Sequence, residues 1–278
     1  MRNRPQLGTH KSRIACGWAI KYALVWLCLI GLGARADTVT IYHYNPEAQT
    51  NRNLVLKNTF DRYFQTHSNV QLQPVEDRDT FQQIVSKEPR SLFILSDWHY
   101  RHLATDKPDF IPYFRGSKNN QNTFRKYYVA RKESLPEAPT IAVSGTHDYV
   151  KNLIRNMTFR HRVPALTNSQ LLTVPKDIDA LLAVSFGMAD AALATETSYE
   201  QFSLLYRNEH QRLTILGISQ PQKHLVVCLF SKHLNALEPA LSALDKMEQS
   251  DQGRLGLNLL GLDEWKLLSA HSQGGQPQ

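Results

Sequence analysis

Residues 174–195 read VPKDIDALLAVSFGMADAALAT, and this stretch decides the fold class. Residues 177–186 are expected to form a helix that stops at Gly187, because glycine takes the left-handed conformation that ends helices at no steric cost. Residues 189–195 then read as a strand. Helix, tight turn and strand make one unit of an α/β protein, and the same alternation runs outward in both directions.

Upstream, residues 38–44 (TVTIYHY), 70–75 and 91–96 (SLFILS) read as strands. Helices are expected over 54–66 and 79–87, the second capped by Asp79 or Thr80. The nearly all-apolar 91–96 suits the middle of a parallel sheet covered on both faces. A polar stretch at 116–126 (GSKNNQNTFRK) leads into a β-rich run at 127–130, and the alternation restarts. It continues with a strand at 140–143, a turn at 144–146, a helix over 147–157 and a strand at 171–174. After the opening stretch come a helix over 198–205, strands at 213–218 and 225–231, and helical stretches at 238–247 and 255–260. Two successive βα series, each too short for a large domain, imply an α/β fold of two lobes with a ligand cleft between them. Ligands of open α/β sheets sit beyond the carboxyl ends of the strands, so the loops of interest are 43–45, 97–100, 144–147 and 195–197. Residues 269–278 have the composition of a disordered tail.

The first 36 residues have the three parts of a cleaved secretory signal peptide. Arg2, Arg4, Lys11, Arg13 and Lys21 precede an apolar run at 22–34, and Ala34-Arg35-Ala36 supplies a small-x-small cleavage site. The run of 13 residues is short of the ~20 that a membrane-spanning helix needs, and Leu27 before Cys28 is too large for lipoprotein processing. This segment carries six of the 32 Lys and Arg residues and none of the 25 Asp and Glu, so the net charge falls from +7 to +1 on its removal. The basic excess therefore gives no argument for nucleic acid or an anionic membrane as partner. Cys16 and Cys28 leave with it, and Cys228, in the apolar run LVVCLF at 225–230, remains as a buried small hydrophobe. An exported protein held together by core packing, without disulfides, is expected.

Several stretches, taken in order, resemble the phosphonate/phosphite family of periplasmic solute-binding proteins that serve ABC transporters. The clearest is 174–195, with Gly187-Met188-Ala189-Asp190-Ala191-Ala192 as a Gly-x-x-Asp-Ala-Ala strand entry. LFILSDWHYRHL at 92–103 is similar to a strand and loop that end in a pocket tyrosine, here Tyr100. IPYFRG at 111–116 with YYVARKES at 127–134 resembles the first crossover between lobes, and SKHLNALEPALSALDKMEQSDQGRLGLNLLGLDEW at 231–265 the closing helices. The resemblance implies a type 2 periplasmic-binding fold, with lobe one at about 37–126 plus 226–268 and lobe two at about 127–225. It also implies capture of a small anionic solute such as phosphonate, phosphite or phosphate. The solute would pass to an ABC permease or, in the alternative reading, be reported to a membrane sensor. A monomer without cofactor or resident metal is expected.

On that resemblance Tyr44 matches an aromatic of the first loop, and Ser144, Gly145, Thr146 and His147 match a hydroxyl-rich turn opening a lobe-two helix. Free N–H groups and hydroxyls at such a turn hold anions without a charged side chain. The chain departs from the family in two places. The turn is poorer in hydroxyls than Ser-Thr-Ser-Gly, and Asp177 stands where the family often has a histidine. A carboxylate there repels a phosphonate dianion unless it is protonated or turned away. Trp98 and Tyr100 are expected to wall the pocket, and Thr195 and Glu196 to approach it, with helix capping as an equal role for Glu196. The run Asp97-Trp98-His99-Tyr100-Arg101-His102 reads as a pocket loop or as surface packing; a metal site through Asp97, His99 and His102 lacks a fourth ligand. Asp190 reads as a loop-fixing group. Arg155, Arg160, His161 and Arg162 around Phe159 read as a solvated helix end or a docking patch. No G-x-S-x-G, H-E-x-x-H or phosphate loop is present, and Ser144 with His147 is a weak nucleophile–base pairing, so a non-enzymatic binder is expected.

Overall fold

The computed structural model describes residues 38–46, 53–65, 69–131, 135–160 and 169–268. The expected export segment with Cys16 and Cys28, the expected tail, and His161 and Arg162 lie outside the described residues. The chain begins with β1 (Val39–Tyr44), α1 (Asn53–Phe64), β2 (Val70–Pro74), α2 (Arg78–Lys87), β3 (Leu92–Leu95), α3 (Asp97–Ala104) and β4 (Phe110–Ser117). The two-residue strand β5 (Thr123–Phe124) leads to β6 (Lys126–Arg131), β7 (Thr140–Val143), α4 (His147–Arg155), β8 (Thr158–Phe159) and β9 (Gln170–Thr173). There follow α5 (Asp177–Ser185), β10 (Ala191–Thr195), α6 (Glu196–Leu205), α7 (Arg207–His210) and β11 (Leu213–Ile218). The return runs through β12 (Gln222–Lys223) to β13 (Val226–Phe230), α8 (Leu234–Asp245), α9 (Asp251–Leu259) and β14 (Glu264–Leu267).

These elements make two mixed six-stranded sheets, ordered β14-β4-β13-β3-β1-β2 and β8-β11-β6-β10-β7-β9. Each is the centre of one lobe of a type 2 periplasmic-binding fold. In the first sheet β1, β2 and β3 are parallel, and β13 lies antiparallel to β3 and β4. In the second, β7, β9 and β10 are parallel and β6 is antiparallel to β10. Two strands therefore carry the chain between lobes, and they pair with each other: β5 and β12 form a small antiparallel ribbon, Gln222 opposite Phe124. Both sheets are covered on both faces, as the apolar strands require. Phe60, Phe64, Leu241 and Met247 pack on one side of the first sheet, and Phe81, Val85, Phe110 and Phe230 on the other. Cys228 is buried among the latter, and burial pushes its thiol well up. In the second lobe Leu181, Val184 and Phe202 face one side of the sheet, and Tyr149, Leu153 and Ile154 the other.

Local chemistry accounts for where elements begin and end. Gly187 has φ +74 and ends α5, as expected. Asp77, rather than Asp79 or Thr80, caps α2 by accepting from the Thr80 amide at 2.8 Å. The expected loop at 97–100 is the first turn of α3, because the Ser96 hydroxyl accepts from the His99 amide and starts a helix directly after β3. Helix α8 begins at Leu234 rather than 238 and runs through Pro239. The buried row Leu237, Ala240, Leu241 and Leu244 holds it helical despite the donor that proline lacks. Strand β14 extends the first sheet past 262–265 because Trp265 pairs with Gly116 and turns into the core. At the first crossover Asn119 and Asn120 have positive φ, a conformation asparagine tolerates, and Asp263 holds the turn through Lys118 and the Asn119 amide. Among the described residues, no helix is long and apolar enough to cross a membrane.

Helix α9 approaches the chain so closely that a Cβ on Gly253 would lie 2.0 Å from the Met247 carbonyl oxygen. Gly253→Ala is expected to cost about 1–3 kcal/mol in urea unfolding, since backbone cannot move aside as a flexible side chain can. An unchanged midpoint would contradict this packing.

Candidate functional site

The carboxyl ends of β1, β7 and β10 meet in the cleft between the lobes, which holds a cavity of about 550 Å³. Lobe one contributes His43, Asn45, Asn53 and the end of α9 from Asn258 to Gly261. The crossovers contribute Lys118, Phe124 and His224, and lobe two contributes Lys126, Ser144, Asp177, Thr195, Ser198 and Gln201.

Lys126 is the first residue of β6, where the chain leaves the crossover, and it is only 4% exposed. Its backbone is clamped by Ser219 of the return crossover: the Lys126 amide donates to the Ser219 hydroxyl at 2.9 Å, and the Ser219 amide to the Lys126 carbonyl at 2.9 Å. The ammonium donates to Asp177 Oδ1 at 3.1 Å. The same oxygen accepts from the Ser144 hydroxyl, and Asp177 Oδ2 accepts from the Thr195 amide at 2.7 Å. Burial alone would raise the Asp177 pKa. Lys126, the Ser144 hydroxyl and the Thr195 amide together outweigh it and hold the carboxyl below its ordinary value. The cluster is thus a charged carboxylate against a charged lysine, and its formal charge cancels.

Facing this cluster are neutral polar groups. His43 is 7% exposed, and burial lowers its pKa to about 4. Its Nε2, like Asn53 Nδ2, has no hydrogen-bond partner among the described residues. His224 packs against Phe124 with tilted rings, centroids 5.1 Å apart; burial, then the charge of Arg115, lowers its pKa to about 4. Buried polar groups are normally satisfied, and these two atoms belong to residues that line the same cavity.

Of the residues singled out in the sequence, Ser144, Asp177 and Thr195 come together on the cavity, with Thr195 also capping α6. Gly145 is buried beside them, whereas Thr146 and His147 are exposed and do not line it. The Thr146 amide instead donates across the cleft to the Pro46 carbonyl at 2.7 Å. The aromatic wall is a correction. Tyr44, the last residue of β1, turns into the lobe-one core against Phe81 and His99, and Tyr100 packs on Phe110 because α3 starts directly after the Ser96 cap and carries its apolar side inward. Trp98 lies outside the main cavity, in a second depression shared by both lobes, with its ring 6.3 Å from Tyr149. Glu196 accepts from the Tyr127 hydroxyl instead of facing the cavity. Asp97 is bound by Arg115 at 2.7 Å and Arg101 at 3.0 Å, and no group of three metal-ligating side chains occurs among the described residues. Asp190 accepts from the Thr140 amide at 2.8 Å, a loop-fixing bond. Arg155 and Arg160 are exposed. His43 falls in the expected loop 43–45, whereas Lys126, inside the polar stretch 116–126, and His224 were not singled out.

This geometry is a two-lobed α/β fold with an interlobe cavity, and solved structures share that fold. A binding-protein component of an ABC phosphonate transporter from Pseudomonas aeruginosa matches over 84% of this chain and 82% of its own, with TM-score 0.55 and 13% identity. PhnD1 from Prochlorococcus marinus, solved with methylphosphonate, matches over 84% and 93% with TM-score 0.56 and 10% identity. A Xanthomonas citri protein solved with ATP matches over 85% and 93% with TM-score 0.56 and 12% identity. The expected structural likeness to phosphonate-type binding proteins is therefore present at the level of fold. No protein-family model and no curated protein matches the sequence.

Two outcomes follow from the cluster and its surroundings. Lys126→Met leaves Asp177 buried without its counter-ion and is expected to cost about 3–5 kcal/mol in chemical unfolding, most of it recovered by adding Asp177→Asn. A loss below about 1 kcal/mol would mark the pair as a surface-type bridge. His43, His99 and His224 all titrate at about 4 when folded against 6.5 ordinarily. Between those values the unfolded chain binds more protons, so stability is full above pH 6.5 and falls as pH drops toward 4, by roughly 1.4 kcal/mol per pH unit for each histidine. His43→Gln should reduce that slope; an equal slope in the variant would contradict the neutral state of His43.

Proposed function

We propose that this chain is an exported solute-binding protein that captures a small polar solute, of the oxyanion class that the resemblance implies, for an ABC-type importer. One observation carries the binding reading: the interlobe cavity has a charge-balanced, hydrogen-bonded cluster on one wall and, on the other, polar groups without partners among the described residues, His43 Nε2 and Asn53 Nδ2. A ligand satisfying both walls draws the lobes together about the ribbon of β5 and β12, the hinge in this reading. Export to the periplasm rests on the signal-like first 36 residues, and the lobe division on the two crossovers. Ligand-site assignments are Ser144, Asp177 and Thr195, with Gly145 supporting the turn, and His43, Asn53 and Lys126 added.

A second reading is favoured by a specific feature. The lobes already touch through their own groups, by the Thr146 amide to Pro46 and by Trp98 against Tyr149. A binding fold with such contacts suits a ligand sensor that presents its lobe arrangement to a membrane signalling protein. Neighbouring genes separate the two, a permease and ATPase for transport or a histidine kinase or cyclase for sensing.

Native mass spectrometry of the purified mature protein is expected to show a retained small molecule, whose removal lowers the melting temperature and whose return restores it. A panel of phosphate, phosphite, phosphonates and sulfonates then locates the class by thermal shift. A protein with no retained mass and no shift with any member of the panel would contradict solute capture of this class.

A further inference from the structure

The buried end of the cleft contains the donor set that would hold a small oxyanion, and the protein's own carboxylate already occupies it. Lys126 ammonium, Ser144 hydroxyl and Thr195 amide all converge on Asp177. These come from three separate elements, β6, the turn after β7 and the end of β10, so their convergence is a product of the fold. The His43 ring nitrogen and the Asn53 amide nitrogen, without partners among the described residues, lie on the same cavity and leave hydrogen-bonding capacity for an occupant beyond Asp177.

We propose that Asp177 determines the charge class of the solute: its carboxylate takes the place of a ligand's acidic group, so the cleft admits solutes of at most one negative charge and excludes dianions. The inference rests on the cavity being a solute site, and it narrows the oxyanion class to singly charged or charge-balanced members. A dianion entering beside Asp177 meets a fixed negative charge at close range, with the buried Lys126 already neutralised; of the other lysines on the cavity, Lys118 is paired with Asp263 and Lys176 is exposed to solvent. A singly charged or neutral solute needs only hydrogen bonds, which Asn53, His43, Ser198 and Gln201 are placed to supply. Removing the Asp177 charge reverses the balance. Lys126 is left as an uncompensated buried cation with the Ser144 hydroxyl and Thr195 amide beside it, and an external oxyanion becomes the group that satisfies them.

Sulfate, doubly charged throughout the working pH range, is the probe. Calorimetry and thermal shift would compare wild type, Asp177→Asn, and Asp177→Asn combined with Lys126→Met. Wild type should show no sulfate binding by calorimetry and only the small, non-saturating thermal shift of an excluded salt, and Asp177→Asn should bind sulfate more tightly by on the order of a hundredfold or more. The double variant should lose that gain. If Asp177→Asn is too unstable for calorimetry, sulfate should still raise its melting temperature more than that of wild type. Wild type binding sulfate as tightly as the variant would overturn the proposal, since the solute would then displace Asp177. So would a variant that gains nothing. A wild-type protein with no retained solute would count against solute capture, while the sulfate series would still decide the role of Asp177.

Discussion

The Lys126–Asp177 pair is the interaction on which the rest of the cleft depends. A lysine almost wholly removed from water is tolerable only with a counter-charge and good hydrogen bonds. Asp177 supplies the charge, at 3.1 Å. Ser144 and the Thr195 amide fill the carboxylate's remaining needs, so neither charge is left uncompensated. Because the four groups sit at the ends of β6, β7 and β10 and the start of α5, the pair also fixes where those ends meet.

The two-lobed architecture supplies the conditions for this pair. Lys126 lies where the outgoing crossover enters the second sheet, and Ser219 of the return crossover grips its backbone from both sides. Any motion about the β5–β12 ribbon therefore pivots beside the charge cluster. The opposite wall is built differently, from uncharged histidines and amides, with His43 kept neutral by burial. One wall thus has balanced charge and the other neutral hydrogen-bonding capacity, an arrangement suited to holding a polar solute without a net electrostatic demand.

The fold was legible in the sequence because its signals are local. The apolar run at 91–96 and the helix–glycine–strand stretch at 174–195 each report their own burial, and Gly187 reports a left-handed stop. The site was legible only in part. Ser144 and Thr195 follow from the rule that ligands lie beyond strand ends, and Asp177 from the family resemblance. Lys126 does not, because its meaning comes from a partner 51 residues away and its place in the chain reads as part of a polar crossover. Tyr44 and Tyr100 are placed at the cavity by the family resemblance, yet Tyr44 ends β1 on its core-facing side, and the Ser96 cap starts α3 directly after β3 and turns Tyr100 onto Phe110. Asp177 itself was legible as a misfit for a dianion; the three donors that make it a satisfied anion required the third dimension.

The central claim is that Asp177 is a charged, internally bound carboxylate, and its titration tests that most directly. Carbon-13 NMR of the labelled side-chain carboxyl, followed while the protein stays folded, should keep the shift of an ionised group down to and below the ordinary aspartate value of 3.8. Protonation of Asp177 above that value in the folded protein would contradict the account, since Lys126 would then face a neutral acid.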